Sequence, residues 1–146
     1  MRDEIREQIA QYCEMLHAWN ASYAEYAKSV GFSYTSLSVL EAIYEHPNCT
    51  QKQLAEGCFL PKQTVNAVIT SFFKKGWVKL EELPEDRRNK TIHLTEAGET
   101  KAAEIITKIH ESEHASMCSL TESQRKELLA LTKAYIARCQ QAMKNE

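Results

Sequence analysis

Thr50-Gln51-Lys52-Gln53-Leu54-Ala55-Glu56-Gly57, then Cys58-Phe59-Leu60-Pro61, then Lys62-Gln63-Thr64-Val65-Asn66-Ala67-Val68-Ile69-Thr70-Ser71-Phe72-Phe73-Lys74-Lys75-Gly76: this stretch decides the fold. Thr50 and Gln53 have the spacing of a capping box, in which the hydroxyl accepts from the third helical amide and the Gln side chain reaches back. They open a short helix that carries Leu54 and Ala55 and is expected to end at Gly57. Pro61 suits the first turn of a second helix, because it lacks only an N–H that would have no partner there. That helix places Val65, Val68, Ile69, Phe72 and Phe73 on one face, with Gly76 as its C-terminal cap. Two helices joined by so short a turn form a helix-turn-helix, and the second is the candidate recognition helix.

The chemistry changes just beyond. In Trp77-Val78-Lys79-Leu80-Glu81 the apolar residues alternate with charged ones, as in a half-buried strand, and Thr91-Ile92-His93-Leu94 repeats the pattern. Pro84-Glu85-Asp86-Arg87-Arg88-Asn89-Lys90 between them is polar and turn-forming, so the pair reads as a β-hairpin with a charged tip. Upstream, Ile5, Ile9, Tyr12, Leu16, Trp19, Tyr23 and Val30 recur at helical spacing, and Gly31 ends that helix. Ser33 or Thr35 can cap a following helix with Leu37, Leu40 and Ile43, stopped by Pro47. Downstream, Ala102, Ile105, Ile106 and Ile109 mark a helix that starts after Thr95. Thr121 and Gln124 form a second capping box, opening a last helix with Leu128, Leu129, Leu131, Tyr135 and Ile136. The expected fold is mainly α with a small β-hairpin wing (α+β). A winged helix-turn-helix over 33–98 is flanked by a helical dimerisation region, 1–32 and 99–146. The flanks hold more apolar stripe than the winged helix can cover, which favours a homodimer.

A length of 146 residues suits about one domain, and 43% apolar with 26% charged residues suits a folded chain. The four glycines are too scattered for a dinucleotide fingerprint or a P-loop. There is no G-x-S-x-G, no H-E-x-x-H and no paired carboxylates outside solvated helical faces, so an enzyme is not expected and no cofactor is implied. Met1-Arg2-Asp3-Glu4 is followed by no apolar signal core, and no apolar run reaches membrane-spanning length. A cytoplasmic location without membrane association follows as an expectation. Five cysteines without a C-x-x-C pair are expected to be reduced thiols, mostly small core residues. The formal charge of −2 hides an asymmetry: −4 over residues 1–60, +3 over 61–90 and −1 over 91–146.

The positive window coincides with the recognition helix and the wing. Opposite the apolar face, at 100° per residue, stand Gln63, Ala67, Thr70 and Lys74, flanked by Thr64, Asn66 and Ser71. Gln and Asn can pair bidentately with adenine, and Ala or Thr methyls can touch the thymine methyl, so double-stranded DNA is the expected partner. Lys62 and Lys74 suit phosphates. At the wing tip, Arg87, Arg88 and Lys90 are candidate DNA contacts, with an arginine suited to a narrow minor groove. Asp86 has the position to orient Arg88. The competing reading of the same face is a solvated surface, or a winged helix that binds protein and not DNA.

The stretches Leu54-Ala55-Glu56, Pro61 to Asn66, Lys74-Lys75-Gly76-Trp77-Val78, Glu85 to Lys90 and Leu94-Thr95-Glu96-Ala97-Gly98 resemble the MarR family of bacterial transcription regulators. Asp86-x-Arg88 followed by Leu94-Thr95-x-x-Gly98 carries the resemblance most specifically. It implies a homodimeric regulator straddling a pseudo-palindromic operator, a repressor released by a small-molecule effector bound between the dimer region and the DNA-binding lobe. It also implies that Arg88 is the wing arginine and that Gln63, Thr64 and Asn66 contact bases or backbone. Ala67 and Ser71 depart from the pattern, since many members carry basic residues there.

Other sites compete. His17, Trp19, Tyr23 and Tyr34 can line a cleft for a small aromatic effector, or simply form core or dimer interface. Cys13 with His17, and His110 with His114, stand four apart on helices and are weak metal candidates that lack further ligands. Cys13 near Tyr12, Trp19 and Tyr34 is a weak candidate for thiol-redox sensing, against the alternative of a buried neutral thiol.

Overall fold

Ser33 and Thr50 begin two of the helices in the first half of the chain, each through its hydroxyl. The computed structural model describes residues 2–144, in the order α1 (Arg2–Ser29), α2 (Tyr34–Glu45), β1 (Cys49–Thr50), α3 (Gln51–Cys58), α4 (Lys62–Lys74), β2 (Val78–Leu83), β3 (Asp86–Leu94), α5 (Glu96–Cys118) and α6 (Glu122–Lys144). Residue 1 and residues 145–146, the ends of the expected flanks, lie outside the described residues. Ser33 caps α2 by accepting from the Ser36 amide, and Thr50 and Gln53 form the complete capping box on α3. The chain forms two compact units, one running to Ile105 and the other beginning at Ile106.

In the first unit Leu37, Val39, Leu40 and Ile43 of α2 are buried with Leu54 and Ala55 of α3 and Val65, Val68, Ile69 and Phe72 of α4. Phe32, Phe72 and Trp77 form an aromatic cluster: Phe32 stacks on Trp77 with centroids 5.7 Å apart, and Phe72 lies 5.6 Å from Trp77. Tyr26 ties α1 to α5 by donating to the Ile105 carbonyl at 2.7 Å. Burial, with a smaller contribution from Glu104, raises the Tyr26 phenol above its ordinary pKa, so it stays a donor.

The hairpin is part of a larger sheet than expected. Three antiparallel strands lie in the order β1-β3-β2, with Cys49 opposite Ile92 and Val78 opposite Leu94. A two-residue strand directly before a capping box leaves no alternation to read, which is why β1 was not anticipated. The segment between the strands is also shorter than the expected Pro84–Lys90 turn. Asp86–Lys90 belongs to β3, and only Pro84 and Glu85 separate the strands.

Four further expectations are corrected. The first helix of the motif ends at Cys58, and Phe59, not Gly57, takes the left-handed cap position at φ 54°. Phe73, placed by periodicity with the buried face, is exposed, because it lies at the margin of the α4 stripe. Leu80 is exposed too, since the hairpin runs past the core it packs on at Val78. Among the five free cysteines only Cys49 is buried; Cys13, Cys58 and Cys139 are half-buried and Cys118 is exposed. Burial raises the Cys49 and Cys58 thiols above their ordinary pKa, which keeps both neutral.

One junction fixes the start of the wing. Gly76 turns the chain with φ 75°, and the Trp77 amide donates back to the Phe72 carbonyl at 2.9 Å. The Thr95 amide donates to the Trp77 carbonyl at 2.9 Å, while the Thr95 hydroxyl donates to the Gly76 carbonyl. The same hydroxyl accepts from the Gly98 amide at 3.1 Å, so it also caps α5.

In the second unit, Thr121 and Gln124 bond reciprocally as the expected capping box on α6. The Arg125 guanidinium donates to the Leu120 carbonyl and closes the turn from α5. None of the α6 residues is buried.

Candidate nucleic-acid interface

The buried side of α4 is consumed by Val65, Val68, Ile69 and Phe72, which leaves Lys62, Gln63, Asn66, Ala67, Thr70 and Lys74 exposed and Thr64 half-buried. These are the residues the sequence selected, and the helix displays them along its outer side. Thr70 is less versatile than its type suggests: its hydroxyl donates to the Asn66 carbonyl at 2.8 Å, so the methyl is what it offers outward. No side chain caps the start of α4, where Pro61 stands at the N-cap. Its first amides and the positive end of the helix dipole are thus open to an anion, with Lys62 beside them.

The wing tip is built around an irregularity. Glu82 pairs with Lys90 and the next residue, Leu83, pairs with Asp86, so Arg87, Arg88 and Asn89 are extruded from the ladder as a bulge. Asp86 holds that bulge with both carboxylate oxygens: Oδ1 accepts from the Arg88 amide at 3.0 Å and Oδ2 accepts from the Asn89 side-chain amide at 2.8 Å. The carboxylate therefore engages the backbone of Arg88 and leaves its guanidinium to reach outward. Arg87, Arg88 and Lys90 are exposed. Among the described residues no carboxylate lies within ion-pair distance of Lys62, Lys74, Arg87, Arg88 or Lys90.

Residue reading missed two parts of this wing. Asn89 is the second ligand of Asp86, and the three-residue spacing Asp86-x-x-Asn89 was the available signal. At the wing base, Glu81 lies between Lys79 at 3.3 Å and His93 at 3.5 Å, and His93 Nε2 is 2.7 Å from the Thr91 hydroxyl. Alternation alone does not reveal such a cross-strand cluster.

The other candidates are placed as follows. Trp19 and Tyr23 meet edge-on at 5.8 Å and Tyr23 lies 6.3 Å from Tyr34, so three of the four aromatic-cleft residues are neighbours; His17 is exposed on α1. A separate cleft of about 760 Å³ is lined by α2, β1 and α3 through residues such as Ser38, Ala42, Cys49, Leu54 and Cys58, and His17, Trp19, Tyr23 and Tyr34 are not part of it. Cys13 is half-buried and His17 exposed on α1, while exposed His114 lies 3.7 Å from the Cys118 thiol.

Residues 30–89 match the MarR family, a span from the turn before α2 into the wing bulge. Over 92 residues, 60% of this chain, the sequence is 33% identical to the HTH-type transcriptional regulator SarZ of Staphylococcus haemolyticus. The chain is thus similar to MarR-family regulators over its helix-turn-helix and wing. The aligned part spans 63% of SarZ. A MarR family regulator from Neisseria meningitidis shares the fold with a TM-score of 0.80 at 23% identity, covering 94% of this chain and 96% of that one. The structure of reduced AbfR bound to DNA has a TM-score of 0.70 at 19% identity, covering 95% of this chain and 99% of that one. The fold likeness extends over the flanking helices, which the family match of residues 30–89 does not reach.

Proposed function

We propose that this chain is a MarR-family, sequence-specific double-stranded DNA-binding transcription regulator, working in the cytoplasm as a homodimer. We further infer that it is a repressor released from a pseudo-palindromic operator by a small-molecule effector. One observation carries the DNA reading. An uncapped, polar, cation-flanked outer face on α4 is followed by a wing whose carboxylate orders an arginine bulge through the backbone. The core uses none of these side chains. Lys62, Lys74, Arg87 and Lys90 suit phosphate, Gln63, Thr64, Asn66, Ala67 and Thr70 suit base edges or methyls, and Arg88 suits the minor groove. SarZ is a transcriptional regulator and AbfR has been solved on DNA, which supports the same reading here.

The aromatic run Trp19–Tyr23–Tyr34, half-buried at Tyr23 and exposed at its two ends, supports an aromatic effector, and the bare apolar residues of α1 and α6 support self-association. Among the described residues no helix is long and apolar enough to cross a membrane.

Fluorescence anisotropy on duplexes that the protein enriches from a randomised library tests the proposal. Affinity is expected to fall on the order of a thousandfold between low and physiological salt, from release of counterions at several phosphates. A flat salt dependence, or no enrichment of any duplex, would overturn DNA binding and favour a protein-binding winged helix.

A further inference from the structure

The turn between α3 and α4 contains a residue that the fold does not account for. Phe59 is 92% exposed, so its ring contributes almost nothing to the core. Its backbone is left-handed at φ 54°, a conformation that glycine or asparagine adopts with less strain. The cap itself is made by backbone groups: the Phe59 amide donates to the Glu56 carbonyl and the Leu60 amide to the Ala55 carbonyl at 3.0 Å. Glycine would make both bonds. An exposed aromatic in an unfavourable backbone state therefore gains nothing inside the free protein.

Its position indicates what it meets. Phe59 precedes the first residue of α4 by three, and its Cα lies within about 14 Å of that of Gln63 by chain length alone. The N-terminal residues of a recognition helix are the ones that reach base edges in the major groove. Within four residues the chain continues into Lys62, Gln63 and the uncapped amides of α4, a setting for a polyanion and a poor one for an apolar protein surface. We propose that Phe59 is a DNA-contacting residue that lays its ring on an apolar group of the duplex, a deoxyribose or a thymine methyl, beside the α4 footprint. This inference rests on the DNA-binding reading above and adds an uncharged contact to it.

The test compares full-length wild type with Phe59→Gly, Phe59→Leu and Lys62→Ala on the duplexes the wild type enriches. Phe59→Gly is expected to unfold at the same or a higher temperature, because glycine suits the left-handed cap. Its affinity is expected to fall about tenfold, the scale of losing one buried aromatic contact, with the salt slope unchanged. Lys62→Ala should instead reduce that slope by about one. Phe59→Leu should recover part of the affinity. Replacing thymines of the duplex by deoxyuridine separates the two apolar groups: a larger loss with wild type than with Phe59→Gly identifies the methyl, and an equal loss with both identifies the sugar. Wild-type affinity in Phe59→Gly at every salt concentration would overturn the inference alone, as would a loss accompanied by a lower unfolding temperature. Failure of the wild type to enrich any duplex would overturn the underlying reading with it.

Discussion

A Cβ added at Gly98 would lie 1.9 Å from the Trp77 carbonyl oxygen, the atom that also accepts from the Thr95 amide, so neither partner can retreat without breaking that bond. Gly98→Ala is therefore expected to destabilise the protein by about 3 kcal/mol, read as a drop in chemical-denaturation midpoint. Asp86 presents the opposite case. It is exposed, so Asp86→Ala should change stability by only about 0.5 kcal/mol. Freed of its two bonds, the Arg87–Asn89 bulge should sample many conformations, and DNA affinity should fall roughly fivefold to tenfold. Equal affinity in anisotropy titrations would mean that the bulge needs no ordering. At this scale the sequence was legible wherever a residue acts on its near neighbours. Ser33, Thr50 and Thr121 were all identifiable as caps because a cap is local in the chain. Phe59 and Gly98 were not, because burial and close approach depend on segments far apart in number.

Among the elements, α4 and the α5 stripe Ala102, Ile105, Ile106 and Ile109 followed directly from helical periodicity, and all four stripe residues are buried. The wing followed less well. Alternation located Val78 and Ile92 as inward residues, yet it also turned Leu80 inward, where the structure leaves it exposed. Alternation reports which side of a strand a residue occupies and says nothing about whether that side is covered. The third strand, Cys49–Thr50, owes its existence to pairing with Thr91 and Ile92, more than forty residues on, and so had no local signature. The bulge was hidden for a related reason: Arg87-Arg88-Asn89 reads as turn by composition, whereas its place in the ladder is set by the register of Glu82 and Leu83.

For the molecule as a whole, the charge of −2 averages an acidic frame and one positive window, and the exposed cations of α4 and the wing all lie in that window. The apolar surface is divided in a similar way. Ile5, Ile9 and Trp19 on α1 and Leu128, Leu129, Leu131, Tyr135 and Ile136 on α6 stand exposed in the single chain. Stripes of that extent mark association, so sedimentation at micromolar concentration should find a dimer. A Leu131→Glu substitution should shift the population toward monomer, and a wild type that sediments as a monomer would remove the dimeric architecture.

The Thr95 junction has a mechanical consequence. A single side chain and its amide join the end of the α4 cap at Gly76, the first wing residue at Trp77 and the first turn of α5 at Gly98. With Gly98 in contact with the Trp77 carbonyl, the joint has no slack. Thr95→Val is therefore expected to loosen the end of α4, the wing base and the start of α5 together, read as faster amide exchange at Trp77 and Gly98.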